Sequence, residues 1–291
     1  MERPEGRAAA MAATDAPAAV VEGARRRAAA RTGDAPRWWL LASLLSILAA
    51  WLLLSYLLGP AVFPGPGETL QFLWREVERG RLWRHVGATL ERVFVAFAVS
   101  MVVGVAAGIF MGTLRWVERL GSAWLLTGLS IPRIVPIVAA YILIGLNDVA
   151  AIVAIVLVVV PTVVTQIQEG ARALDYKLVQ MAQAFRVPRW TVLRRVVAPQ
   201  LYPYIAGTAR TAMSLAWKMV VFAELVGRSS GVGYQISFYF QMFDMRGILA
   251  YGLAMIIILA AVDRLMMLLW DRYAFRWRAQ GTVWTGPASV G

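Results

Sequence analysis

The sequence contains no cysteine, one histidine and only two lysines among its 291 residues. Without cysteine, neither a disulfide nor a thiolate metal site can form, and the redox compartment cannot be inferred. The single histidine, His85, excludes a zinc site with two histidine ligands. Neither Lys177 nor Lys218 follows a glycine, so the sequence has no Walker A phosphate loop and we expect no ATP to bind this chain by that route.

Charged residues are also scarce. They make up 16% of the chain, against about a quarter in soluble globular domains, while 59% of the residues are hydrophobic. Several apolar stretches reach the roughly 20 residues that an α-helix needs to cross about 30 Å of hydrocarbon. This composition predicts an all-α membrane protein with about six transmembrane helices.

The six predicted spans are Trp38–Leu58, Val93–Leu114, Leu120–Leu146, Val149–Gln168, Leu201–Val226 and Gly247–Trp270. Ionisable residues inside a span mark candidate functional positions, and here they are Arg133, Arg210, Lys218, Glu224, Asp263 and Arg264. We interpret the adjacent Asp263 and Arg264 as neutralising each other, with a proton relay as the alternative. Pro132, Pro136 and Pro161 are expected to kink or interrupt the third and fourth spans, either passively or as part of gating.

The distribution of Lys and Arg predicts the orientation. With the amino terminus inside, 18 of them lie in the tails and loops on that side and 7 on the other. This bias favours a bacterial inner (plasma) membrane protein with both termini in the cytoplasm. It also accounts for the net charge of +12 without nucleic acid, because the basic residues flank spans and do not form one face of a soluble module.

Two segments outside the spans are predicted from their composition. Residues 1–36 are rich in Ala and Arg and are expected to form a disordered cytoplasmic tail, with an amphipathic surface helix as the alternative. The segment Phe63–Arg84 is too polar to span. Its apolar residues Leu70, Leu73, Trp74 and Val77 recur at helical spacing, which indicates a short helix on the outer surface.

The long cytoplasmic loop after the fourth span carries two amphipathic patterns. The first places Leu174, Leu178, Met181, Ala182 and Phe185 on one face of a short helix, with Asp175 near its amino end. The second begins at Pro188, shares Trp190, Leu193 and Val197 on one face, and is expected to stop at Pro199. Two such helices can dock into a groove on a soluble partner.

The run QMAQAFRVPRWTVLRRVVAP, Gln180 to Pro199, resembles the EAA loop of binding-protein-dependent ABC importer permeases. Ala182 and Pro199 match that pattern, while Gln180 stands for Glu, Met181 for Ala, Arg186 for Gly, Val196 for Ile and Ala198 for Leu. A left-handed turn, which Gly permits, would be strained at Arg186.

Further segments resemble the nitrate/sulfonate/taurine branch of these permeases: FPGPGETL, GIFMG, DYKLVQ, PQLYPYIAGTARTAMSLAWKMVVFAELVG and SSGVGY. The resemblance covers roughly Val62 to Arg278. It implies type I importer architecture, with a core permease domain over 89–278, a first transmembrane helix and external helix over 37–88, and a cytoplasmic tail over 279–291.

The resemblance also implies partners and site residues. The partners are a cytoplasmic ABC ATPase dimer that uses ATP and Mg, a periplasmic or lipid-tethered solute-binding protein, and a second permease subunit, expected to be a second copy of this chain. No cofactor is expected in this chain itself. The residues expected to couple to the ATPase are Gln180, Met181, Ala182, Phe185, Arg186 and Pro199.

The loop after the fifth span is predicted to form part of the external mouth, through Ser229, Ser230, Gly231, Gly233 and Tyr234. Its glycines allow close backbone approach, but an ordinary turn between helices would use the same residues. Contact with the binding protein is one interpretation and a simple turn is the other.

Three ionisable residues of the fifth span are predicted to line the solute path: Arg210, Lys218 and Glu224. The two cations lie on one broad helix face and favour a small anion such as a sulfonate, taurine or nitrate. A structural salt bridge from Lys218 to a carboxylate on another helix is the alternative, and a non-anionic metabolite remains the alternative solute.

Other classes of membrane protein remain open at this stage. A secondary transporter or channel would show the same apolar pattern, but a docking loop for an ATPase would have no purpose there. A membrane enzyme would need a nucleophile, base or metal constellation for which the chain has few residues. A structural scaffold is the last alternative.

Overall fold

The computed structural model describes residues 37–274. This part of the chain is helical and contains no strand. Its helices are α1 Arg37–Leu58, α2 Pro66–Glu78, α3 Arg81–Thr113, α4 Arg115–Ser130, α5 Ile134–Ile144, α6 Asp148–Arg172, α7 Tyr176–Ala184, α8 Arg189–Val192, a π-helical turn Leu193–Val197, α9 Ala198–Gly227, α10 Val232–Gln241 and α11 Met245–Ala274. The predicted tails, 1–36 and 279–291, lie outside the described residues.

The predicted class, an all-α membrane protein, is confirmed. Within residues 37–274, four helices contain stretches long and apolar enough to cross a membrane, namely Leu41–Leu58, Arg81–Thr113, Asp148–Arg172 and Met245–Met266, and α4 with α5 makes a fifth if that bent pair is one span. The remaining predicted span coincides with α9. This helix has 30 residues, but Arg210, Lys218 and Glu224 make it too polar to belong to that set.

Two predicted spans differ from the structure at their boundaries. Helix α3 begins at Arg81, twelve residues before the predicted start at Val93. The prediction started too late because the first turns of the helix contain polar side chains that are buried in the protein, and a search for apolar residues does not detect them. The third span is broken: α4 and α5 meet at 99°. Pro132 lies in that break, so the interruption expected there is confirmed. Pro136 lies in the first turn of α5, where its missing N–H costs no bond, and α6 continues through Pro161.

The described part of the chain divides into two compact units, one before and one after the boundary between Pro66 and Gly67. The described part of the first is α1 and the turn after it, in which the Trp51 Nε1–H donates to the Pro64 carbonyl at 3.1 Å.

In the second unit, α3 packs most extensively against α6, and α9 lies across α6, α10 and α3. Small residues make the α3–α6 contact possible. A Cβ at Gly104 would overlap the Val163 side chain, and one at Gly108 would approach the Val164 carbonyl oxygen to 2.9 Å. Ser100 is buried one turn earlier on the same face. This spacing of four is the small-residue pattern by which membrane helices approach closely.

Helix α2 forms within the segment where a short helix was predicted, and it buries polar as well as apolar side chains. Leu70 and Trp74 are exposed, whereas Thr69 and Glu76 are buried. The Glu76 carboxylate accepts a hydrogen bond from the Tyr251 hydroxyl at 3.0 Å and forms an ion pair with Arg81. Apolar periodicity thus predicted the helix, and Leu73 and Val77 pack against the core, but it gave no sign of the polar contacts that Glu76 makes.

Candidate functional site

A cavity of about 740 Å³ lies between α9 and α11 and extends to the break between α4 and α5. This volume is in the range of small-molecule binding sites. Its lining combines cations, a carboxylate, hydroxyls and apolar side chains: Arg133, Arg210, Lys218, Asp263, Thr162, Thr211, Ser214, Met213, Leu215, Ile256, Leu259 and Ala260.

Arg210 and Lys218, the two cations predicted to line the solute path, both line this cavity. Only Arg210 has a carboxylate partner among the described residues. Arg210 forms a fork-like pair with Asp263, with Nε and Nη2 donating to the two carboxylate oxygens at 3.2 and 3.1 Å. The interpretation of Asp263 and Arg264 as neutralising each other is therefore wrong. The acidic residue faces α9, and its charge offsets that of Arg210.

Lys218 and Arg133 have no carboxylate partner within residues 37–274. The alternative interpretation of Lys218, a salt bridge to another helix, is thus not found in the described part of the chain. Arg133 lies at the N-cap position of α5, in the break itself. Among the described residues, the cavity carries three cationic side chains and one carboxylate, and two of the cations have no carboxylate partner there.

Glu224 was predicted to share the solute path, and this is wrong. Its side chain is buried in a separate polar cluster at the end of the bundle where α10 lies, and it does not line the cavity. We call this cluster the α10-end network; its members are His85, Thr89, Arg92, Asp148, Glu224, Arg228, Ser230 and Gln235. On an ideal helix Glu224 projects far from the Lys218 face, which explains why the two belong to different sites.

Arg92 is the centre of the α10-end network. Its Nη1 donates to Glu224 Oε1 at 2.5 Å and to the Ser230 carbonyl at 2.8 Å. Its Nη2 donates to Ser230 Oγ at 2.7 Å, and its Nε donates to Asp148 Oδ1 at 2.7 Å. Arg228 pairs with the same Asp148 at 2.9 Å. Two cations and two carboxylates thus balance at this end of the bundle, where Arg92 and Glu224 are buried and Asp148 is exposed.

Thr89 and His85 complete the network from the same face of α3. The Thr89 hydroxyl lies 2.9 Å from both Glu224 oxygens and accepts from the Val232 backbone N–H at 2.9 Å. The Gly231 N–H donates to His85 Nδ1 at 3.1 Å. On the other side of the ring, His85 Nε2 lies 2.6 Å from the side-chain amide nitrogen of Gln235. His85 is itself buried.

The predicted external mouth, Ser229–Tyr234, is largely part of this network. Gly231 and Gly233 are buried, and the Gly233 N–H donates to Glu224 Oε2 at 3.0 Å. A Cβ at Gly231, where φ is +115°, would overlap the Glu224 carboxylate, and one at Gly233 would overlap the Val221 carbonyl. Glycine at both positions therefore allows this segment to approach Glu224 and Val221 of α9 closely. Only Ser229 is fully exposed, while Ser230 and Tyr234 are half-buried.

At the opposite end of the bundle, the loop between α6 and α9 contains α7. Asp175 caps it by accepting from the Lys177 N–H at 2.9 Å. Its carboxyl end is a Schellman motif, in which the Val187 N–H donates to the Ala182 carbonyl at 3.0 Å and the Arg186 N–H to the Gln183 carbonyl at 2.9 Å. Arg186 has φ 52°. The turn keeps the left-handed geometry that the family pattern assigns to Gly, with an arginine in the strained position.

The same loop exposes most of its predicted docking face. Phe185 is 78% exposed, Trp190 69% and Met181 54%, and Gln180, Arg186 and Pro199 are also exposed. Ala182 was predicted to face the ATPase, but it is buried inside the turn and offers no surface to a partner. Pro199 does not stop the second helix, because the π-helical turn carries the chain directly into α9.

Sequence reasoning missed the roles of Arg92, Asp148 and Arg228, all of which lie just outside the predicted spans. One signal could have found Arg92: together with His85 and Thr89 it lies on one helical face at spacings of four and three. The small-residue spacing in α3 could likewise have predicted the α3–α6 contact.

Comparison with known proteins gives one family match and three relatives. Residues 100–278 match the family described as "Binding-protein-dependent transport system inner membrane component". The chain is 27% identical over 231 residues to a probable ABC transporter permease protein of Brucella abortus strain 2308, covering 79% of this chain and 92% of that protein. It is 27% identical to the riboflavin transport system permease protein of Chloroflexus aurantiacus, with 75% and 81% covered. It is 23% identical to the taurine transport system permease protein of Escherichia coli K12, with 84% and 86% covered.

The fold has solved counterparts. The crystal structure of an amino acid ABC transporter with histidines superposes with a TM-score of 0.58 at 14% identity, covering 69% of this chain and 98% of that one. At this identity the likeness concerns the fold alone.

Proposed function

We propose that this chain, which belongs to the family of binding-protein-dependent transport system inner membrane components, is the permease subunit of an ATP-driven importer for a small anionic solute. Family membership makes it a transport subunit and not an enzyme. The ATPase, the binding protein and the solute class are the parts that we propose.

The charge of the cavity between α9 and α11 is the observation that supports an anionic solute. Arg133 and Lys218 line it without carboxylate partners in the described chain, and Arg210 is offset by Asp263. Both side chains are exposed in the described chain, so an anion that enters the cavity can reach them, and ionisable residues inside membrane proteins commonly mark the path of a solute. The relatives transport solutes as different as riboflavin and taurine by their names, so the cavity and not the likeness supports the choice.

The decisive experiment is uptake by proteoliposomes that contain the whole transporter and its binding protein. The ligand of the binding protein is identified first by mass spectrometry, and we expect an anion. Lys218→Met should reduce its ATP-driven uptake about tenfold or more, while assembly and basal ATP hydrolysis persist. A cationic ligand, or normal uptake by the variant, would contradict the anionic solute but leave the permease assignment intact. Uptake without ATP would contradict the importer itself.

We place the ATPase against the loop between α6 and α9. Its apolar side chains Met181, Phe185 and Trp190 are exposed, and arginines surround them, so the loop suits a groove with apolar walls and an acidic rim. The matched pair of variants is Phe185→Glu and Phe240→Glu, since Phe240 is also exposed but lies at the α10 end. Only the first should lose the ATPase on co-purification. Equal retention in both would remove the loop from the interface.

We place the solute-binding protein, periplasmic or lipid-tethered, at the α10 end, where Ser229 is the exposed residue of the predicted mouth. A cysteine at Ser229 is the suitable crosslinking site, because Ser230 is engaged by Arg92. The chain has no other cysteine, so labelling is specific. Crosslinking to the binding protein supports this contact, and labelling from the cytoplasmic side alone would reverse the proposed orientation.

We further propose a second copy of this chain as the second permease subunit, with two ATPase subunits. Native mass spectrometry of the purified transporter tests this composition. A different permease chain in the complex would refute the second copy without touching the other assignments.

A further inference from the structure

We infer that Arg133 and Lys218, and not Arg210, bind the charged head of the solute, and that the solute is an organic oxyanion with an apolar body. This inference rests on the proposed function and specifies the residues and the solute chemistry of the same cavity.

The pairing of the cations separates their roles. Arg210 donates two parallel hydrogen bonds of 3.1 and 3.2 Å to Asp263, so its charge is already offset by a carboxylate before a solute arrives. Arg133 and Lys218 have no such partner within residues 37–274. An arriving anion therefore gains most from these two residues.

The position of Arg133 strengthens this assignment. It is the N-cap residue of α5, next to the 99° break between α4 and α5. The amino end of a helix carries a partial positive charge. In broken membrane helices of transporters, this positive end points toward the anionic group of the solute. The charge of Arg133 and the helix end act in the same direction on one side of the cavity.

The remaining lining describes the rest of the solute. Ser214 has no hydrogen-bond partner in the described chain, and Thr162 and Thr211 add hydroxyls near the cations. Helix α11 contributes Ile256, Leu259 and Ala260, which form an apolar wall. A sulfonate, phosphonate or carboxylate with a hydrocarbon part would contact both surfaces, whereas a bare inorganic anion would leave the apolar wall in contact with water.

The test uses a single cysteine in the cavity. Because the chain lacks cysteine, Ser214→Cys provides a unique thiol in the full chain, purified with its partners. Its reaction with the anionic sulfonatoethyl methanethiosulfonate is compared with that of the cationic trimethylammonium-ethyl reagent. We expect the ratio to favour the anion, and Arg133→Met or Lys218→Met to lower it about three- to tenfold each, as Coulomb's law gives for one nearby charge in a partly hydrated site.

The matched control removes the paired charges together. In Arg210→Met combined with Asp263→Leu the net charge of the cavity is unchanged, so the ratio should change less than twofold. If this control lowers the ratio as much as Arg133→Met does, Arg210 contributes to the head site and the inference is wrong.

Protection of the same thiol tests the apolar body. Hexanesulfonate should slow labelling at lower concentration than methanesulfonate, and methanesulfonate at lower concentration than nitrate, while hexyltrimethylammonium should protect least. Equal protection by nitrate and hexanesulfonate would overturn the organic oxyanion, and equal protection by hexyltrimethylammonium would overturn the cationic head site. Labelling does not require uptake, so these outcomes are independent of whether the chain works in an ATP-driven importer.

Discussion

Removing Arg92 should be among the most damaging single changes in this protein. The Arg92→Met variant keeps a side chain of similar length but removes four hydrogen bonds, to Glu224, Asp148 and both oxygens of Ser230. Glu224, which is 1% exposed, would then retain only its hydrogen bonds from Thr89 and the Gly233 N–H. Its charge would be buried without a cation.

The expected size follows from this burial. Breaking a buried ion pair from one side costs about 3–5 kcal/mol, because the other charge remains uncompensated. Removing both charges costs less, since no unpaired ion is left. Arg92→Met combined with Glu224→Gln should therefore be less destabilising than the sum of the two single variants by about 2 kcal/mol or more.

The assay is unfolding of the purified protein in detergent, with the four proteins of the double-mutant cycle measured side by side. Arg246→Met is the matched control, because Arg246 pairs with Asp244 at 3.1 Å on the same end of the bundle but with a side chain that is 54% exposed. Exposed pairs contribute about 0–1 kcal/mol. If Arg92→Met is no more harmful than Arg246→Met, or if the two single effects simply add, the α10-end network is not a coupled buried unit.

Three further predictions concern backbone geometry and are measured by the same unfolding assay. Arg186→Gly should stabilise the protein by about 0.5–1 kcal/mol, since glycine accepts the left-handed φ without strain, and a loss of stability would show that the arginine side chain is needed. Gly108→Ala should destabilise by about 1–3 kcal/mol because its Cβ meets a backbone carbonyl of α6, whereas Gly207→Ala, which meets nothing within 4 Å, should be neutral or stabilising. Gly231→Ala should be at least as harmful as Gly108→Ala, because a Cβ there overlaps a buried carboxylate and φ is +115°; an effect as small as that of Gly207→Ala would contradict the observed packing.

The features that the sequence predicted correctly are those determined by neighbours along the chain. Apolar length identified the membrane helices, Pro132 identified the interruption of the third span, and Asp175 identified the start of α7. The family likeness of the loop after α6 depended on short spacings in the same way. Each of these signals lies within one or two helical turns, where local geometry decides the structure.

The partners of the charged residues were decided only by the tertiary structure. Glu224 pairs with Arg92, which lies 132 residues earlier in the chain on another helix. Asp263 pairs with Arg210 and not with the adjacent Arg264. Periodicity gives the face on which a residue lies but not the helix that will pack against that face. In the bundle this choice depends on where small residues such as Gly104 let two helices approach. Lys218 and Glu224 lie on the same helix, yet within the described chain Lys218 has no carboxylate partner, whereas Glu224 is buried beside Arg92.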